Sequence, residues 1–350
     1  MPDLTERQKT LLILVVRDYI DTAQPIGSQH LVAHYRLDMS SATVRNEMVA
    51  LTEMGYLRQP HTSAGRVPSE DGYRFFVSQM MHQAELPETV QHTISHQFHQ
   101  SRPEVDQWMT LAASVLAQQA QAVSIVTAPH AEQVRFKHLE LIATQGRQVL
   151  MVLVTIGGEV NQQILALSEP VSQEKLSATA NRLNQAYSGR TLAEIKATAT
   201  RTDALEADIA LLVTADMQRM TAKTSGELYY DGLTNVLAEP EFNTSDEARR
   251  ALRLFEERSL LEELLARTVM ASDVGGVQVL IGGEGTWAEL RQCSMVLARY
   301  GAPGLITGTL GVLGPMRMSY NRTIPTVRYV AGLLSELVND TFAGDTGKSI

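Results

Sequence analysis

Residues 40–68, SSATVRNEMVALTEMGYLRQPHTSAGRVP, constrain this chain more than any other stretch. They read as a short helix followed at once by a two-stranded ribbon. Val44, Met48 and Leu51 recur at i, i+4 and i+7, the spacing of a buried helical stripe. Ala42, Arg45, Asn46, Val49 and Glu53 fall on the opposite face. Ser40 or Ser41 supplies the N-cap and Gly55 the stop. Arginine pairs bidentately with guanine and asparagine with adenine, while alanine or valine touches a thymine methyl. Ser41, Ala42, Thr43, Arg45, Asn46 and Val49 are therefore the expected major-groove set, with Thr43, Arg45 and Asn46 as the readout. Tyr56–Gln59 and Arg66–Pro68 are short extended runs around Pro60–Gly65, which is turn chemistry. Arg58, His61, Thr62, Ser63 and Arg66 sit at or beside the tip, suited to phosphate or a minor groove. A helix followed by such a ribbon is the winged helix-turn-helix arrangement.

The helices that this arrangement needs lie upstream. Thr5-Glu6-Arg7-Gln8 is a capping box. It opens a helix with Leu11, Leu12, Val15, Val16, Tyr19 and Ile20 inward, broken by Pro25 and Gly27. Ser28 is the expected cap of a short second helix with Leu31, Val32 and Tyr35 inward, and residues 36–39 make the turn into the third. After the ribbon, Ser69 caps a helix carrying Tyr73, Phe76, Val77 and Met80. The DNA-binding domain is expected over residues 1–81.

The remaining chain is expected to be α+β. Residues 82–102 read as a polar linker helix with a narrow stripe at Val90, Ile94 and Phe98. His92, His96 and His99 share one side of it, but no carboxylate or cysteine completes a metal set nearby, so a solvated helix is expected and no metal. A helix from Pro103 carries Trp108, Met109, Ala112, Val115 and Leu116. Four β-rich runs follow, Val123–Ala128, Phe136–Ala143, Val149–Ile156 and Val160–Leu167, with hairpin turns at Gly146 and Gly158; they are expected as one antiparallel meander. From Ser172 the pattern is helical, including a long helix near 245–267. Then come a strand at Val277–Ile281, a helix at Trp287–Tyr300, strand signals at Gly304–Gly314 and a closing helix at Thr326–Val338. Sheet, helical excursion and sheet again suggest one α+β domain, 103–171 with 271–342, interrupted by an insertion at 172–270. Residues 343–350 are expected as a flexible tail.

Composition narrows the function. The formal net charge of −9 argues against a non-specific nucleic-acid binder. Residues 1–80 hold eight basic and nine acidic side chains, so any basic surface is local, built from Arg36, Arg45, Arg58 and Arg66. The single cysteine, Cys293, excludes an intrachain disulfide and fits a reducing cytoplasm. Its spacing with Leu290 and Val296 reads as a buried structural cysteine. No segment reaches ~18 continuous apolar residues, and the polar start is unlike a signal peptide. There is no nucleophile elbow, metal-ligand set or telling carboxylate pair, so an enzyme is not expected. Two glycine-rich segments, Ile281–Gly285 and Thr307–Gly311, leave open a small-molecule pocket or, more simply, turns and tight strand crossings. No cofactor is expected from them.

SSATVRNEM, GYLRQPHTSAGRVPSEDGYR, YYDGLTNVLAEPEF at 229–242 and GVLGPMRMSY at 311–320 together resemble HrcA, the heat-inducible transcription repressor family of bacteria. The resemblance spans nearly the whole chain in order. It implies a winged helix, a GAF-like domain and a dimerising module inserted in it. It also implies a homodimeric repressor of chaperone operons that binds an inverted-repeat operator, with a chaperonin modulating its activity. A ligand-controlled regulator using the GAF-like domain is the alternative reading.

Overall fold

In the computed structural model, the described residues are 4–62, 64–81, 85–102, 104–131, 134–197, 203–222, 227–242, 257, 261, 265, 274–282 and 290–343. Helix α1 (Glu6–Thr22) opens on the anticipated reciprocal cap: the Thr5 hydroxyl accepts from the Gln8 amide, and the Gln8 side chain accepts from the Thr5 amide at 3.0 Å. α2 (Ser28–Tyr35) and α3 (Ser41–Glu53) follow, then strands β1 (Leu57–Arg58) and β2 (Val67–Pro68), then α4 (Glu70–Met80). Leu11, Leu12, Val15 and Val16 meet Leu31, the Val44–Met48–Leu51 stripe, and Tyr73, Phe76 and Val77 in the core. Each such side chain contributes roughly 1.5–3 kcal/mol on burial.

One inward position differs from expectation. Tyr19 is only partly buried, whereas Asp18 is 5% exposed. A buried carboxylate is tolerated when it is hydrogen-bonded. Asp18 accepts from His30 Nε2 at 2.8 Å and from the Tyr35 hydroxyl, tying α1 to α2.

α5 (Glu88–Gln100) buries Ile94 and Phe98, so the linker helix is anchored rather than wholly solvated. α6 (Val105–Ala120) leads into β3 (Val123–Thr127). The next elements are β4 (His130–Ala131), β5 (Phe136–Ala143), β6 (Gln148–Thr155), β7 (Val160–Ala166), α7 (Gln173–Tyr187), α8 (Leu192–Ala197) and α9 (Ala204–Ala222). Beyond them come β8 (Leu228–Asp231), α10 (Leu233–Leu237), a 3-10 turn at Pro240–Phe242, β9 (Val277–Ile281), β10 (Cys293–Ala302), β11 (Ile306–Pro315) and α11 (Tyr320–Val338).

These elements divide into two compact units, one of 1–128, 228–300 and 309–337, the other of 129–227, 301–308 and 338–350. In the first unit, strands run in the order β8-β3-β11-β10-β9. One face carries Val123, Ile125, Cys293, Met295 and Leu297 against Val236, Phe242 and Leu290. On the other, the Tyr300 hydroxyl reaches Met109 Sδ of α6 (3.1 Å) and the Thr127 carbonyl (2.5 Å), and the Tyr320 hydroxyl of α11 donates to Ser294 Oγ (2.7 Å). In the second unit, β5-β6-β7 form an antiparallel meander whose inner face packs Phe136, Leu139, Leu141, Met151 and Leu153 against Leu176, Leu183, Ile209, Val213 and Met217. Asn184 of α7 completes the β5 edge: its side chain accepts from Leu139 N (2.7 Å) and donates to Leu139 O (3.0 Å).

Three expectations are corrected. The single meander is split: β3 pairs with β8 and β11, while β5–β7 form a separate sheet. Among the described residues, the β5–β7 sheet packs against α7, α8 (through Ile195) and α9 within the second unit, so elements on both sides of residue 172 share one core. Strand runs show their period but not their partners, which long-range pairing decides. The helix expected at Trp287–Tyr300 is strand β10 from Cys293 onward, with nine of its ten residues buried. A strand covered on both faces loses its alternation and reads like a buried helix segment. Finally, α11 starts at Tyr320, not Thr326, and carries Pro325 inside it; burial of Tyr320, Ile324 and Val327 holds the early turns that Pro325 alone would discourage. Of the helix anticipated near 245–267 only residues 257, 261 and 265 are described, with Leu261 and Leu265 buried, and the tail beyond 343 lies outside the described residues.

Candidate nucleic-acid interface

The site begins with the α3 cap. Ser40 Oγ accepts from Thr43 N (3.1 Å) and contacts Thr43 Oγ1 (2.9 Å), so Thr43 is engaged in holding the helix start. With Val44, Met48 and Leu51 buried, the helical period turns Ala42, Arg45, Asn46 and Val49 outward, and all four are exposed.

The ribbon pairs Leu57 with Pro68 and Arg58 with Val67. Arg58, His61 and Thr62 are exposed on it, and Ser63 lies outside the described residues. Two supports give the ribbon its shape. Gln59 Nε2 donates to the Thr62 carbonyl (2.9 Å) and the Ala64 carbonyl (3.1 Å), closing the tip. Ile26 and Arg66 exchange backbone hydrogen bonds of 2.9 and 2.8 Å, an isolated antiparallel bridge from the α1–α2 connection to the ribbon. That bridge needs glycine next to it: a Cβ on Gly65 would lie 2.4 Å from the Ile26 carbonyl oxygen.

Arg66 is not a wholly free ribbon cation. Its Nε donates to Thr52 Oγ1 (3.0 Å), and Thr52 in turn donates to the Met48 carbonyl (2.7 Å), so Arg66 ties the ribbon to α3.

These elements enclose a cleft of about 510 Å³. Ser41, Ala42, Arg45 and Met48 line it from α3, Gln59, Thr62 and Arg66 from the ribbon, and Ser28 and Gln29 from the start of α2. Of the anticipated residues, Ser41, Ala42, Arg45, Thr62 and Arg66 share this cleft. Asn46 and Val49 lie beside it on the exposed helical face, Arg58 and His61 on the ribbon's exposed side, and Thr43 in the cap. Gln29, Gln59 and Ile26 were not singled out from sequence, and Ser28 was read only as the α2 cap, a place that Gly27 takes. Only Ile26 carried a signal, as an extended residue trapped between Pro25 and Gly27.

Other candidate features resolve as structure. Among the described residues no group of three His, Cys, Asp or Glu side chains could hold a metal ion; His92 and His96 stack at 6.4 Å, and His99 Nδ1 meets the Ser95 carbonyl. Arg317 pairs with Glu239 and, at 2.5 Å, with Glu241. Gly311 sits where a Cβ would come 2.3 Å from the Val296 carbonyl oxygen, a tight strand crossing. Residues 283–285 of the other glycine-rich segment are outside the described residues. Cys293 is buried, and burial pushes its thiol up to about 12. No described helix is long and apolar enough to cross a membrane.

A family model described as the HrcA protein C terminal domain matches residues 106–324. The heat-inducible transcription repressor HrcA of Roseiflexus castenholzii is 42% identical over 354 residues, covering 98% of each chain. That of Chloroflexus aurantiacus is 43% identical over 364 residues, covering 99% of this chain and 97% of the other. A crystal structure of a hypothetical protein superposes with a TM-score of 0.62 at 24% identity, covering 97% of this chain and all of that one, and so shares the fold. Full-length identity at this level, together with the matched C-terminal region, shows that the chain belongs to the HrcA family of heat-inducible transcription repressors, which are not enzymes.

Proposed function

We propose that residues 1–81 form a winged helix-turn-helix module that reads an operator, with α3 in the major groove and the ribbon on the backbone or minor groove. The observation that carries this reading is the cleft itself. It brings the N-terminal end of α3 and the ribbon to one concave surface, with Arg45 and Asn46 exposed on or beside it. Arg45 and Asn46 supply the base contacts, Ala42 and Val49 the apolar ones, and Ser41, Thr43, Arg58, His61, Thr62, Ser63 and Arg66 the surrounding polar frame. With net charge −9, affinity rests on these local contacts and on pairing of two modules rather than on a broad basic field.

The partner is a second copy of the chain, bound to an inverted repeat. A surface in the second unit supports this. On the outer face of β5–β7, the register aligns Ile142, Leu150 and Ile164 in one row and Val154 with Val160 in another. Ile164 is 68% and Val160 62% exposed. An apolar sheet face of this kind marks an interaction site. The strands β8-β3-β11-β10-β9 with α6 and α11 are read as the GAF-like domain. Release from the operator on heat stress, control of chaperone operons, chaperonin as modulator and a cytoplasmic setting follow from the family resemblance.

The test is fluorescence anisotropy with the operator and a scrambled duplex at several salt concentrations, with and without chaperonin. Preference of roughly a thousandfold or more is expected. Arg45→Ala and Asn46→Ala should each cost roughly 1–3 kcal/mol and relax preference at one base position. Equal binding of the two duplexes overturns the reading.

A further inference from the structure

Helix α4 closes the N-terminal module, yet its outer side is fastened to the sheet of the same unit at several points. Arg74 Nη1 donates to Asp71 (2.8 Å), and its Nη2 is shared between Glu70 (3.3 Å) and the Ile281 carbonyl at the end of β9 (3.3 Å). Gly282, the next residue, has φ +64°, and a Cβ there would lie 2.5 Å from the Glu70 carboxyl carbon. Tyr73 is buried and its ring lies 6.4 Å from that of Tyr320, which is itself pinned to Ser294. At the far end of the helix, Arg328 of α11 donates to the Met81 carbonyl (2.7 Å).

This is more fastening than a module on a plain tether requires. Two guanidinium groups satisfy backbone carbonyls, and a glycine with left-handed φ sits where an added Cβ would push the Glu70 carboxylate off its place. Charge-assisted hydrogen bonds to a carbonyl fix direction as well as contact. None of these residues lines the cleft between α3 and the ribbon.

We infer that the α4 dock, centred on Arg74 with Gly282 and Arg328 opposite, is the positioning element that holds the reading module at one orientation and so sets which half-site spacing the repressor accepts. The inference rests on the dimeric operator reading proposed above. A bivalent binder gains its second contact only if the geometry permits both at once. A fixed module accepts one spacing, whereas a loosened one accepts several.

The experiment uses the full-length protein and a duplex selected by the wild type from a randomised pool. Spacer variants of that duplex are lengthened one base pair at a time through half a helical turn, and a single half-site serves as control. For the wild type, affinity should fall by roughly a hundredfold when the second half-site is out of register. Arg74→Ala should flatten that profile to within about threefold, by the same reasoning, while single-half-site affinity stays unchanged. Gly282→Ala perturbs the same dock from the sheet side by displacing the Glu70 carboxylate, leaves the residues lining the cleft unchanged, and should flatten the profile too. A wild type that binds the half-site without spacing preference overturns the inference. So does Gly282→Ala with the wild-type profile, whatever happens to Arg74→Ala. Failure to select any duplex, or to bind the half-site, instead defeats the operator reading itself.

Discussion

Replacing Gly65 by alanine isolates the contact that shapes the ribbon. The backbone there has no left-handed requirement, so the effect is one of space alone. The added Cβ would stand 2.4 Å from the Ile26 carbonyl oxygen and 2.5 Å from its carbon. Ordinary contact needs about 1 Å more, and a close-packed site cannot supply that without moving backbone. The movement must separate Ile26 from Arg66, which share hydrogen bonds of 2.9 and 2.8 Å. Each contributes about 1 kcal/mol net, so the pair amounts to about 2 kcal/mol. A loss of that size corresponds to about thirtyfold in a local opening equilibrium. Hydrogen exchange read at the Ile26 and Arg66 amides should therefore accelerate about thirtyfold in Gly65→Ala, with operator affinity reduced as the ribbon leaves α3. Gly27→Ser is the control. Nothing lies within 4 Å of a Cβ there, and the residue is the α2 N-cap, where serine is at least as good a cap. Exchange at Ile26 and Arg66 unchanged in Gly65→Ala would refute the reasoning.

Tyr35 should titrate late: burial first, then its hydrogen bond to Asp18, raise it from 10.0 to about 12. Because the folded value is the higher one, the fold favours the protonated phenol, and that contribution is present below pH about 10 and is lost as pH rises toward about 12. Phenolate absorbance should show this transition moving to lower pH in Asp18→Asn, and an unmoved transition would sink the coupling. Cys293 should resist alkylation in the native chain and react fully in denaturant, as mass spectrometry can read; ready native modification would contradict its burial. Ile164→Lys, on the outer face of β7, should shift sedimentation from dimer to monomer, whereas an unchanged dimer would move the interface elsewhere. Arg66→Lys should weaken operator binding nearly as much as Arg66→Ala, since lysine has no Nε to hold Thr52; full retention by lysine would make Arg66 a simple phosphate contact.

Sequence by itself determined the local layer of this protein. The capping box at Thr5–Gln8, the Val44–Met48–Leu51 stripe and the turn residues between Gln59 and Arg66 are short-range signals, and each element appears where its chemistry places it. The outward face of α3 was equally legible, because a helical period that buries three positions fixes which positions remain. Tertiary structure decided what periodicity cannot carry. Which strands share a sheet depends on pairings across more than a hundred residues, as between β3 and β8 or β11, so one apparent meander became parts of two units. Burial on both faces erased the alternation of β10 and made a strand resemble a helix. Arg66 read as a free cation until Thr52, fourteen residues away in sequence, was brought to its Nε. Gly65, Gln59 and Ile26 acquired their meaning only through neighbours that the fold supplies. Period and propensity belong to the chain, whereas contact between distant groups belongs to the packed state.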